Sequence, residues 1–108
     1  MNNKERRLRN LMLKHIDFLK RLTNEPKERV RKLIKRASSD QQSVLRKILR
    51  SISCGEIPLK KANHSKLPRK VVKTLMQFRR RTSAKRSKAR LARLAGYFGL
   101  ILSEIISR

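Results

Sequence analysis

The chain has 108 residues, of which 31 are Lys or Arg and 7 are Asp or Glu, so its formal net charge is +24. This excess is larger than solubility requires and attracts polyanions such as DNA, RNA or an anionic membrane surface. One cysteine, Cys54, excludes an internal disulfide, and with only two histidines the usual zinc ligand sets are excluded too. The length fits a single domain over residues 1–108, and we expect neither a secretory leader nor a membrane-spanning segment.

The first half of the chain predicts three amphipathic helices. Apolar residues every three or four positions indicate a helix over residues 4–22; they are Leu8, Leu11, Met12, Ile16, Leu19 and Leu22. Pro26 suits the first turn of a second helix, whose apolar face carries Val30, Leu33, Ile34 and Ala37. Ser39 with Gln42 matches a capping box that begins a third helix, and Gly55 is expected in the left-handed conformation at its end.

The second half predicts two more helices. Pro58 indicates extended chain at residues 56–59, residues 60–66 form a polar loop, and Pro68 begins a fourth helix. Its inward positions are Val71, Val72, Leu75 and Met76. After a break or cap at Thr82 and Ser83, a last helix runs over residues 84–106. Because strand-type alternation is missing, the prediction is an all-α fold, a compact array of about five amphipathic helices with no β-sheet.

The densest charge lies in residues 69–93, which hold eleven basic residues and no acidic one. Such a run needs a polyanion to neutralise it, and a phosphate backbone does so while releasing condensed counterions. The alternatives are a solvated charged face or a nuclear localisation signal. We predict nonspecific phosphate contacts from Arg69, Lys70, Lys73, Arg79, Arg80, Arg81, Lys85, Arg86, Lys88, Arg90 and Arg93. Residues 79–90 are expected to be its most exposed and mobile part, with small Ser and Ala side chains permitting close approach and Ser hydroxyls bonding phosphate.

No residue pattern indicates catalysis, a metal site or a cofactor. Cys54 has no nearby histidine and third partner to activate it, so we predict a small buried thiol. The acidic residues are scattered without paired-carboxylate or metal spacing, and three glycines do not form a phosphate loop. We therefore predict that the protein is not an enzyme.

The apolar stretch over residues 94–106 leaves two interpretations open. It is either a buried terminal helix whose glycines allow close packing, or a contact surface for self-association, a capsid protein or a membrane. A contact surface would use Phe98, Ile101, Leu102 and Ile105.

The order of segments resembles that of a known group of proteins. Amphipathic helices are followed by the turn Gly55-Glu56-Ile57-Pro58-Leu59, a Lys/Arg-rich stretch and a glycine-containing apolar tail. This order is similar to small basic proteins of adintovirus, Polinton and adenovirus-like elements. The resemblance implies a virion core protein that condenses the viral genome, present in the virion and the host nucleus, with residues 79–90 as its basic stretch.

The favoured function is nonspecific DNA binding and condensation. Scarce aromatic residues argue against base stacking, and the basic segment carries only Gln77 as a side chain suited to reading base edges. The alternatives are an RNA-binding or ribosome-associated protein, intracellular and bound to nucleic acid, and a membrane- or capsid-contacting protein that uses the apolar tail.

Overall fold

A computed structural model describes residues 3–55, 65–80 and 84–106. For residues 3–5, 84 and 103–106 it describes the backbone but not the side chains. Seven α-helices are described: α1 (Asn3–Lys14), α2 (Ile16–Asn24), α3 (Lys27–Arg36), α4 (Ser39–Ser53), α5 (Arg69–Met76), α6 (Ala84–Arg93) and α7 (Phe98–Ile106). A 3₁₀ turn, Gln77–Arg79, follows α5 directly. No strand occurs in these ranges, so the all-α prediction is confirmed, with seven helices instead of about five.

One hydrophobic core receives side chains from every helix. Helix α4 supplies its longest row, Val44, Leu45, Ile48, Leu49 and Ile52, at the spacing of one helix face. Helix α7 packs most extensively on α2, and α4 packs on α1, α5 and the 3₁₀ turn. Further packed pairs are α1 with α2, α2 with α3, α3 with α6, and α5 with α6. The helices therefore enclose a shared interior instead of forming separate bundles.

The single helix predicted over residues 4–22 is wrong, because the chain breaks at His15. This residue leaves helical geometry (φ −114°, ψ 24°), and its N–H donates to the carbonyls of Leu11 and Met12. The break lets α1 pack on α4 while α2 packs on α7. The hydrophobic period continues in phase across His15, from Met12 to Leu19, so spacing alone did not reveal the break.

The last predicted helix, over residues 84–106, is also two helices. Helix α6 ends at Arg93, and Gly96 then adopts a left-handed φ of +89°, which only glycine reaches without strain. The residues on either side of this reversal, Ala95 and Phe98, are fully buried. Gly96 therefore ends a helix. A Cβ on Gly99 would make an ordinary van der Waals contact, 3.5 Å from the carbonyl oxygen of Thr23 on α2, so the packing there does not require the glycine that was predicted to allow it.

Several local predictions need smaller corrections. The capping box joins Ser38 and Gln41, one residue earlier than predicted, with the Gln41 N–H 3.2 Å from the Ser38 hydroxyl and the Ser38 N–H 3.0 Å from the Gln41 side chain. Gly55 is left-handed as predicted, with φ +79°. Met76 is exposed instead of inward. Lys66 belongs to a short helical turn, while residues 56–64, 81, 82 and 83 lie outside the described part.

Candidate nucleic-acid interface

The residues predicted to bind phosphate lie on three consecutive elements. Arg69, Lys70 and Lys73 are exposed on α5, and Arg79 and Arg80 are exposed at the 3₁₀ turn that follows it. Helix α6 carries the remaining described ones: Lys85, Arg86 and Arg93 are exposed, and Lys88 and Arg90 are half-buried. Arg81 lies outside the described residues. Because α6 packs against α5, the structure brings the two basic helices together.

Helix α6 is an amphipathic helix that packs on the core, so residues 79–90, which were expected to be the most exposed part of the basic segment, include a buried side as well as exposed positions. Ser87 and Leu91, one helical turn apart, are fully buried and face the interior. Ser87 therefore does not reach a phosphate in the folded chain, contrary to the expectation for the serines of this segment. Ala89 is exposed between Lys85, Arg86 and Arg93, so a small side chain lies at the centre of the charged face.

Helix α3 is the main element that the sequence analysis missed. Its ten residues include six basic ones and a single acid, Glu28, and all seven are exposed. Its inward face consists of Val30 and Ile34, which are buried. Although some fifty positions separate it from α6 in the sequence, α3 packs directly against α6. Two adjacent helices thus carry eleven basic residues and one acid.

The side of α3 that bears Lys27 meets the end of α6. A Cβ built on Gly96 would lie 3.4 Å from Cγ and Cδ of Lys27, so the aliphatic stem of this lysine packs where the chain leaves α6. Arg31 and Lys35 follow Lys27 at intervals of four and share its flank of the helix. We name the set formed by Lys27, Arg31, Lys35 and the five basic residues of α6 the α3–α6 surface.

Little acidic charge opposes the α3–α6 surface. Glu25 pairs with Arg29 at 3.4 Å, next to α3, but the Arg29 side chain is 73% exposed and such a pair contributes only about 0.3–0.5 kcal/mol. Helix α6 contains no acid in its sequence. Seven acidic residues cannot neutralise 31 basic ones even with complete pairing. The joined helices therefore present strong positive potential to the solvent.

The apolar tail is interior, which favours the buried-helix interpretation. Phe98, Ile101 and Leu102 are fully buried in the core, so in the folded chain they are not available for self-association, capsid contact or membrane contact. The side chain of Ile105 lies outside the described ones. Within the described ranges no helix is long and apolar enough to span a bilayer.

The other candidate features are the cysteine and the residue types that bind metals. Cys54 is exposed, so the prediction of a buried thiol is wrong; it is the residue at which α4 ends, directly before Gly55. Residues of the metal-binding types do not gather into a group of three anywhere in the described part of the chain.

Fold and surface together define a small all-α protein in which basic residues from distant segments lie on two helices packed against each other. Comparisons with protein-family models, curated proteins and solved structures found no match for this chain.

Proposed function

We propose that this protein binds duplex DNA without sequence preference and condenses it, with the α3–α6 surface as its principal phosphate-binding site. The observation that carries the proposal is the direct packing of α3 on α6, which joins basic residues from two separate parts of the sequence. The surface has eight basic side chains on two packed helices. This array suits a DNA duplex, which carries one negative charge per about 1.7 Å of its axis.

The chemistry of this surface favours phosphate contacts over base reading. Its side chains are Lys and Arg, which bind phosphate by charge and hydrogen bonds irrespective of sequence. Helix α6, ten residues long, spans about 15 Å, and the exposed Ala89 leaves room for a phosphate backbone to approach between the charged side chains. The resemblance to virion core proteins supports packaging of a viral genome as the setting of this activity.

The test measures the affinity for two duplexes of unrelated sequence, and for a structured RNA of similar length, as salt is raised. The α6 variant (Lys85→Gln, Arg86→Gln, Arg93→Gln) is compared with a control variant (Lys20→Gln, Arg21→Gln, Lys47→Gln) that removes the same charge from exposed positions on α2 and α4. We expect similar affinity for both duplexes, and a slope of log K against log salt that falls by about 2.7 in the α6 variant for three lost contacts.

Three results would contradict the proposal. They are salt-independent binding, a preference for one duplex sequence, or equal slopes for the α6 and control variants. Stronger binding to structured RNA than to duplex DNA would favour the RNA-binding alternative. Far-ultraviolet circular dichroism of each variant checks that the helical fold is retained.

A further inference from the structure

A pair of serines lies in the short link between α3 and α4. Helix α3 ends at Arg36, Ala37 and Ser38 have extended backbone (φ −61°, ψ 139° and φ −66°, ψ 164°), and α4 begins at Ser39. Both serines are exposed, and so are Lys35 and Arg36 in the last turn of α3. Two hydroxyl groups and the basic residues just before them are therefore accessible at one place on the molecule.

Basic residues shortly before a serine form the charge pattern that basophilic serine/threonine kinases recognise with acidic residues of their substrate groove. Ser38 has Lys35 three positions before it and Arg36 two positions before it. Ser39 has Arg36 at the third position but Ala37 at the second, and it already belongs to α4. The extended backbone and the two preceding charges therefore favour Ser38 over its neighbour.

Two other described hydroxyl groups have a basic residue three positions earlier, and the fold makes both less accessible. Thr23 follows Lys20, but it is half-buried within α2 and its hydroxyl donates to the Lys20 carbonyl at 2.8 Å. Ser53 follows Arg50, but it is buried and its hydroxyl donates to the Arg50 carbonyl at 2.9 Å. Exposure thus separates Ser38 from these residues of similar local sequence.

The cap that Ser38 forms on α4 is compatible with a phosphoryl group. The hydroxyl oxygen accepts a hydrogen bond from the Gln41 N–H at 3.2 Å, so this bond does not use the hydroxyl proton that phosphorylation removes. A phosphoserine keeps oxygen acceptors at the same position, and its negative charge suits the first turn of a helix. The beginning of α4 is therefore expected to survive the modification.

We propose that Ser38 is a phosphorylation site for a basophilic serine/threonine kinase that uses ATP, and that the phosphate weakens DNA binding at the α3–α6 surface. The Ser38 oxygen attacks the γ-phosphorus of ATP, and the new O–P bond replaces the bond to the oxygen of the β-phosphate. ADP leaves, and the hydroxyl proton passes to a base of the kinase. The site follows from exposure and charge, whereas its effect on DNA rests on the proposed function.

The effect on DNA binding follows from the covalent distance between Ser38 and Lys35, which belongs to the α3–α6 surface. Three residues separate them, so their Cα atoms are at most about 11 Å apart. This distance is close to the Debye length of about 10 Å at 0.1 M salt, and the long lysine side chain can turn toward a phosphate of nearly two negative charges. Loss of this one contact with DNA lowers the affinity about eightfold at 0.1 M salt.

The test treats the purified chain with MgATP and the catalytic subunit of cyclic-AMP-dependent protein kinase, a basophilic kinase. Every protein carries Thr82→Ala and Ser83→Ala, because these two hydroxyl groups also follow basic residues in the sequence. The chain that retains Ser38 is compared with Ser38→Asn, which lacks the hydroxyl but keeps a side chain that caps helices. Tandem mass spectrometry locates the phosphate, and fluorescence anisotropy of a labelled duplex gives the affinity before and after treatment.

We expect phosphate at Ser38, at least about tenfold less phosphate in Ser38→Asn, and about eightfold weaker binding of the phosphorylated chain at 0.1 M salt, with a salt slope smaller by about 0.9. Lack of phosphate at Ser38, or phosphate on Ser39 alone, would overturn the site. A phosphorylated Ser38 with unchanged affinity would overturn its effect on binding. Failure of the untreated chain to bind the duplex would instead overturn the proposed function and leave the modification site standing.

Discussion

Neutralising the basic residues on the side of α3 that meets α6 tests whether residues some fifty positions from α6 in the sequence belong to the same proposed binding surface. The α3 variant replaces Lys27, Arg31 and Lys35 by Gln. Glutamine retains the Cβ, Cγ and Cδ atoms with which Lys27 packs near Gly96, so the change removes charge and preserves this contact.

The expected slope of log K against log salt follows from the number of basic side chains that contact phosphate. If only the five of α6 contact phosphate, log K falls with log salt at a slope of about −4.5, which is a loss of about 500-fold between 50 and 200 mM salt. With the three α3 residues the slope is about −7, and the loss over the same range is about 20,000-fold. We therefore expect the α3 variant to reduce the slope by about 2.7, as much as the α6 variant does.

The measurement is fluorescence anisotropy of a labelled duplex at several salt concentrations, for the intact chain, the α3 variant and the control variant. A slope for the α3 variant within experimental error of that of the control would refute the reasoning. Phosphate binding would then be confined to the segment predicted from the sequence, and the packing of α3 on α6 would have no functional meaning.

Three further predictions concern stability. Raising NaCl from about 20 to about 300 mM should raise Tm in a thermal melt, since screening relieves repulsion between basic helices, and a falling Tm would contradict this. Gly96→Ala and Gly55→Ala should each cost about 1–2 kcal/mol in urea unfolding, because both glycines have a left-handed backbone that strains a residue with a Cβ; unchanged stability of either variant would contradict this conformation. Phe98→Ala should cost about 3–5 kcal/mol because the side chain is fully buried, whereas Leu13→Ala, at a position 61% exposed, should cost under about 0.5 kcal/mol in the same experiment.

Local sequence patterns predicted the all-α fold class because apolar residues on the inward face of an amphipathic helix recur every three or four positions. Val30 with Ile34, and Val71 with Leu75, were recognised from their spacing and are buried. The break at His15 was missed because the apolar period keeps its phase on both sides of it. The break at Gly96 had a visible signal, the glycine itself, but a glycine inside an apolar helix also suits close packing, so the residue type alone did not decide between the two.

The sequence indicates only part of the proposed binding surface. Counting charge along the chain finds residues 69–93, since their basic residues are neighbours in sequence. Helix α3 becomes part of the surface only through its packing on α6, which no local pattern encodes.

The last described helix, α7, packs on α2 near the other end of the chain, with Gly99 close to the carbonyl of Thr23. Helices α2 and α7 are separated by most of the chain, so bringing them together costs conformational entropy. Their packing offsets this cost only when both helices are present. A chain shortened before Phe98 would lose the buried partner of α2 and expose apolar residues while keeping nearly all of its positive charge. Incomplete or proteolysed copies would therefore expose apolar surface and remain polycationic, a combination that favours aggregation with any polyanion.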